Sequence, residues 1–199
     1  MIPKQLRCLY LHGFRSGPSS VKAQQTVSYF ANEDCAQNVH IPQLSAEPSQ
    51  AIDEAQFLYE QLIDEVGLEN VIIIGSSLGG YYASYLVEHF GGRAALINPA
   101  IKPYELLQDY LGENENMYNG ETFIVTEAYI DELKAIDVPI KTPGHHLLLV
   151  KMKDETLDST LAITKYRNGP CFIEHGGDHS YSDYPKRLPS IINFALAPY

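Results

Sequence analysis

A parallel β-sheet with helices on both faces is the architecture this sequence predicts, and three observations predict it. Short apolar runs alternate with amphipathic stretches of helical length, the pattern of repeated strand–helix–strand units. The most apolar run, Val71–Ile74, is four β-branched residues without polar interruption, which suits a strand buried on both faces. That run passes through Gly75-Ser-Ser-Leu-Gly-Gly80 into a helical stretch over Tyr81–Phe90, closed by Gly91 and Gly92.

The elements follow in order. Leu6–Leu11 reads as the first strand, ended by His12–Gly13–Phe14, and Ser19 or Ser20 is placed to cap a helix over Val21–Phe30. Val39–Leu44 is a second, short strand, and Pro42 suits it to a sheet edge. Ile52, Ala55, Tyr59, Leu62, Ile63 and Val66 recur at helical spacing and form one stripe facing the sheet. The Val71 strand is third, and Ala94–Pro99 is fourth. Regularity then breaks from Ala100 to about Pro143, with helical readings over Pro103–Leu111 and Ala128–Ile136, a polar turn over Glu113–Gly120, and a short strand near Glu121–Val125. It resumes with strand Leu147–Met152, helix Ser159–Tyr166, strand Cys171–Glu174 and a last helix from about Pro185 to Ala195. The expectation is one domain over 1–199, a doubly wound six-stranded, mostly parallel sheet, with residues 101–143 as a cap-like excursion after the fourth strand.

In such sheets the chemistry gathers at the carboxyl ends of the strands. The third strand delivers Gly-x-Ser-x-Gly in strand–turn–helix context, where the serine stands on a strained turn and its neighbours two positions away must be small. Ser77 has Gly75 and Gly79 at those positions, whereas Ser76 would have Ile74 and Leu78. Ser77 is the expected nucleophile. The fifth strand delivers Asp154, Glu155 and Asp158, and the sixth delivers His175, Asp178 and His179. Serine, acid, histidine in that order is a known arrangement for covalent catalysis, in which imidazole takes the serine proton and a carboxylate orients the imidazole. His179 is preferred to His175 because it lies beyond two glycines, on a loop able to bend toward Ser77. Asp154 is the favoured acid because it follows closely where the chain leaves the strand; Asp158, which equally suits a cap for the next helix, remains the alternative. The backbone N–H groups of Phe14 and Leu78 are expected to hold an oxyanion. Arg15 is read either as facing an anionic substrate group or as a solvated loop residue. The apolar Leu106, Leu107, Tyr110 and Leu111 are read either as lining an acyl pocket or as core packing.

Composition narrows the partners. With 14 basic and 25 acidic residues the formal charge is −11, which repels phosphate backbones and anionic membranes. No signal-peptide h-region or run of about 18 apolar residues is present in the sequence. Cys8, Cys35 and Cys171 lack metal-ligand spacing, and Cys8 and Cys171 fall in strands expected to be buried. His145–His146 precedes the fifth strand, at the end of the sheet remote from the chemistry. A reduced, cytoplasmic setting is expected, without metal.

With these residues placed, the chain resembles the small bacterial α/β-hydrolase esterases of the YqiA/YcfP-like family over nearly its whole length. The likeness rests on Leu-His-Gly-Phe14 with Ser16, Ser20, Lys22 and Ala23, on Ile41–Leu44, and on Gly75-Ser-Ser-Leu-Gly-Gly-Tyr-Tyr-Ala83. It extends through Asn98–Ala100, Leu106–Asn116, Asp154–Glu155 with Leu157–Asp158, and Gly176–Gly177 with His179. The stretch Leu106–Asn116 is the more specific part, since hydrolases in general need not share it. The resemblance implies a hydrolase sheet lacking the first two strands of larger members. It also implies no cofactor, cleavage of carboxylic esters or acyl thioesters, and Ser77, Asp154 and His179 as the triad. The expected partner is a small-molecule acyl ester or thioester and the expected assembly a monomer or weak homodimer. Acyl transfer by the same residues, or a degenerate scaffold on this fold, are the rival readings.

Overall fold

The structure, a computed structural model, describes residues 1–198. In chain order the strands are β1 (Arg7–Leu11), β2 (Val39–His40), β3 (Val71–Ser76), β4 (Arg93–Ile97), β5 (Gly112–Glu115), β6 (Thr122–Val125), β7 (His146–Lys151) and β8 (Cys171–Glu174). The helices are α1 (Val21–Ala31), α2 (Pro48–Val66), α3 (Leu78–Phe90), α4 (Pro103–Leu106), α5 (Glu127–Ala135), α6 (Ser159–Lys165) and α7 (Leu188–Ala195). Six strands form one sheet in the order β2-β1-β3-β4-β7-β8, and every pairing in it is parallel. Leu11, Gly75 and Leu96 stand in register across β1, β3 and β4, so the three carboxyl ends share one edge.

Alternation along the strands divides the core between two faces. Leu9, Leu11, Ile73, Leu96, Leu148 and Val150 pack with the buried stripes of α2 and α3, including Ile52, Ala55, Tyr59, Leu62 and Leu86. Cys8, Tyr10, Ile72, Ile74, Ile97 and Leu149 face the other way, against Ala23 and Phe30 of α1 and Leu188, Ile191 and Ile192 of α7. Helices therefore cover both faces, as the near-continuous apolar strands require. No helix among the described residues is long and apolar enough to cross a membrane.

Several elements depart from the sequence-based expectation. β2 is only two residues long and lies at the sheet edge, ending before Pro42, which has no N–H to donate to a ladder. Pro103–Leu111 is not one helix but a single α-turn followed by a 3₁₀ stretch over Leu107–Tyr110. The polar segment expected as a turn begins with β5, which pairs antiparallel with β6. The excursion is thus a hairpin flanked by helices. Cys171 is exposed because β8 is the other edge strand, while Cys8 and Cys35 are buried.

The crossing of β3 and α3 has no room for side chains. A Cβ on Gly79 would fall 2.0 Å from the Leu11 carbonyl oxygen, and one on Gly75 would fall 2.4 Å from that of Gly79. Gly79→Ala is therefore expected to cost about 1–3 kcal/mol or more in urea unfolding, because the obstacle is backbone. Gly144→Ala, where nothing lies within 4 Å, should change stability by less than about 0.5 kcal/mol.

Candidate active site

Ser77 sits between β3 and α3 with φ 56° and ψ −120°, a conformation that L-residues seldom adopt. Its backbone is tied on both sides. The Ser77 N–H donates to Ile97 O, and Ser77 O accepts from the N–H groups of Gly80 and Ala100. These bonds hold a strained residue in place and leave the side chain half-exposed at the sheet edge, while neighbouring Ser76 is buried.

The loop after β1 runs alongside. A Cβ on Gly13 would lie 3.1 Å from Ser77 Cβ and 3.6 Å from its Oγ. The Phe14 N–H, one residue on, has no backbone partner among the described residues, and the Leu78 N–H lies in the first turn of α3, where donors lack intrahelical acceptors. His12 anchors this loop: its Nε2 accepts the Leu44 N–H at 3.2 Å and its Nδ1 lies 3.0 Å from Gly13 O. Because Nε2 accepts an N–H it carries no proton, so the proton sits on Nδ1 and is donated to Gly13 O; burial lowers the pKa of this ring. The β5–β6 hairpin clamps the same loop from above. Arg15 Nε donates to Glu115 O, Asn116 Nδ2 donates to Ser16 O, and the Met117 N–H donates to Arg15 O. Arg15 thus splints the hairpin through its Nε, and its side chain also borders a cavity beside the loop. The Phe14 ring is held edge-on by Tyr110 and Phe123, with centroids 5.3 and 5.7 Å away.

After β7 the chain turns so that Asp154 Oδ1 accepts the N–H groups of Thr156 and Leu157, each at 2.8 Å, and Oδ2 lies 2.7 Å from His179 Nδ1. The Asp154 side chain is 2% exposed and that of His179 is 23% exposed. Asp158 is otherwise engaged. Its Oδ1 caps α6 by accepting the Thr160 N–H at 2.9 Å and the Thr160 hydroxyl, contacts that hold its carboxyl below the usual range. Glu155 Oε2 accepts the His179 backbone N–H at 3.0 Å. Ser77 and His179 line one cavity of about 440 Å³, with no hydrogen bond between their side chains among the described residues. Long or absent serine–imidazole bonds are common in unliganded sites.

Sequence reasoning missed a residue that links these loops. Asn98, directly after β4, is buried with φ 40°, and its Nδ2 donates to the carbonyls of Asp178 and His179 at 3.1 Å each. Its Oδ1 accepts the Lys151 N–H at 2.9 Å, and its own N–H donates to Leu149 O. The available signals were an asparagine ending an otherwise apolar strand and its place in the Asn98–Ala100 stretch of the resemblance, neither of which gave its role.

The comparisons with known proteins are made on this geometry. A family model described as an uncharacterised protein family, UPF0227, matches residues 7–196. A candidate hydrolase from Agrobacterium vitis S4 superposes with TM-score 0.69 at 21% identity, over 98% of this chain and 90% of that one. Est1E from Butyrivibrio proteoclasticus, with ferulic acid bound, gives 0.67 at 15% identity, over 98% and 90%. An esterase from Pyrococcus furiosus gives 0.64 at 12%, over 97% and 83%.

Asn98→Asp keeps the shape but replaces two donors with a carboxylate facing two carbonyls. It is expected to cost about 1–3 kcal/mol and to accelerate amide exchange across residues 176–183, read by mass spectrometry. Unchanged exchange there would mean that the loop is held by other contacts.

The sheet order, the turn at Ser77 and the match over residues 7–196 lead to one statement of kinship: the chain has the α/β-hydrolase fold and belongs to the UPF0227 family.

Proposed function

We propose that this protein is a serine hydrolase that cleaves carboxylic esters or acyl thioesters of small molecules through a covalent acyl-enzyme. The observation that carries this reading is a single cleft containing a strained, half-exposed Ser77 and a His179 whose Nδ1 is held by a buried Asp154. The chemistry follows from those roles. His179 Nε2 accepts the Ser77 proton as Oγ adds to the acyl carbon. Asp154 receives the Nδ1–H bond and stabilises the imidazolium. The N–H groups of Phe14 and Leu78 receive the oxyanion, each such donor being worth about 2.7–4 kcal/mol where it has been measured by deletion. His179 then returns the proton to the departing oxygen or sulfur, and a water molecule repeats the sequence to release the acid and restore Ser77.

The acyl group is assigned to a second cavity, of about 380 Å³, which adjoins Ser77 and is lined by Ala100, Pro103, Leu106, Leu107, Tyr110 and Leu133. Three of the four excursion residues singled out in the sequence fall in that lining; Leu111 does not and is exposed. The excursion in this reading is a partial roof over the acyl group. A monomer or weak homodimer in the cytoplasm fits the acidic charge and the reduced cysteines.

Ser77→Ala is expected to lower ester turnover by roughly 10³-fold or more and to abolish labelling by a fluorophosphonate, while Ser76→Ala retains both. Equal losses in the two variants would remove Ser77 from its role. Asp154→Asn leaves the hydrogen-bond pattern but imposes the wrong tautomer, for an expected loss of about 10⁴ in kcat. Asp158→Asn should change stability little, since asparagine also caps helices, and should leave kcat intact.

A further inference from the structure

The two cavities that meet at Ser77 differ in which charged residues line them, and only one holds the histidine and a lysine. The 380 Å³ cavity lacks His179 and any lysine or arginine, and sets Asp109, Glu155 and Thr156 at the border of the apolar group formed by Ala100, Pro103, Leu106, Leu107, Tyr110 and Leu133. The 440 Å³ cavity holds His179 and is lined beside it by Ser16, Ser20, Tyr118, Ser180 and Lys22. In acyl transfer the imidazole delivers its proton to the leaving atom, so the leaving group must lie on the His179 side. The second cavity is therefore the leaving-group side.

Lys22 is the one lysine or arginine in that lining. It lies at the start of α1, partly buried, with Nζ donating to Ser180 O at 2.8 Å. An ammonium carries three N–H donors, and no other protein acceptor meets this one among the described residues. Burial lowers its pKa, while the carboxylates of Asp178 and Asp154 act to raise it. Glu155 also borders the cavity, but its Oε2 is bound to the His179 N–H. A partly desolvated cation with open donors is completed by an anion.

We propose that the natural substrate joins an apolar acyl group to a leaving group that bears a carboxylate or phosphate, seated on Lys22. This rests on the hydrolase reading and narrows it. As the acyl–oxygen bond of the substrate breaks and the acyl–Oγ bond to Ser77 forms, the serine proton passes through His179 to the departing oxygen. The anionic alcohol leaves, and water then hydrolyses the acyl-enzyme.

The test compares three butyrate esters of para-substituted phenols, bearing carboxylate, phosphonomethyl or neutral carboxamide. Wild type should favour the carboxylate or phosphonomethyl ester over the carboxamide by about tenfold or more in kcat/KM. Which anion wins identifies the source of the charge. The ratio of anionic to neutral kcat/KM should persist in Lys22→Arg and fall to about one in Lys22→Met, with Lys22→Gln as the neutral substitute if Lys22→Met does not fold. A loop displaced for structural reasons alone would lower all three rates together and leave the ratio standing. In parallel, chemical-shift titration of wild type and the neutral variant with para-hydroxybenzoate, and with para-hydroxybenzamide as control, reads the anion site without turnover. Hydrolysis of all three esters at equal kcat/KM would overturn the Lys22 assignment while leaving the hydrolase reading in place. Lys22-dependent binding of para-hydroxybenzoate without hydrolysis of any ester would do the reverse. Neither binding nor hydrolysis would overturn both.

Discussion

The buried carboxamide of Asn98 is the contact on which the geometry of the cleft depends. Serine, acid and histidine arrive on three separate loops, and each loop has its own freedom. One side chain engages the histidine loop and the last residue of β7, from which the acid loop departs, while the backbone beside it, at Ile97 and Ala100, holds the serine turn. The position demands a donor and an acceptor on one short side chain, in a backbone with φ 40°. Asparagine meets both demands: its amide offers two N–H donors and an acceptor oxygen, and it tolerates left-handed conformations better than most residues. A buried network of this kind is worth much when complete and costs much when one member fails.

A second constraint acts from above. The loop that presents the Phe14 N–H is not rigid by its own sequence, Gly13-Phe-Arg-Ser-Gly17. It is fixed by His12 below and by the hairpin of the excursion above, whose Glu115, Asn116 and Met117 reach it across about a hundred residues of chain. The Phe14 side chain is clasped by Tyr110 and Phe123 and also borders the 380 Å³ cavity. The loop after β1 and the excursion are thus parts of one packed unit.

These arrangements explain what could be read from the sequence. The sheet was legible because buried parallel strands are continuous apolar runs, and β8 could be placed from Cys171–Glu174 alone. Its exposure could not, since edge position depends on strand order. The turn at Ser77 was legible because close crossing restricts Gly75 and Gly79 locally. β5 was not. Gly112–Glu115 is polar, with only Asn114 buried, and its strand conformation is imposed by pairing with β6 and by docking onto residues 15 and 16. Asn98 and Lys22 fall in stretches that carry the resemblance, but the contacts they make were hidden for a related reason. Their partners lie 80 and 158 positions away, at distances where no periodicity carries information.

The bond from Lys22 to Ser180 and that between the hydroxyls of Thr26 and Tyr184 join the first helix to the chain beyond the last strand. Closing a loop of such separation costs conformational entropy, which the packing between the two segments offsets. The histidine loop is thereby tied both to the first helix and, through Asn98, to the end of β4, so the two ends of the chain close on one cleft.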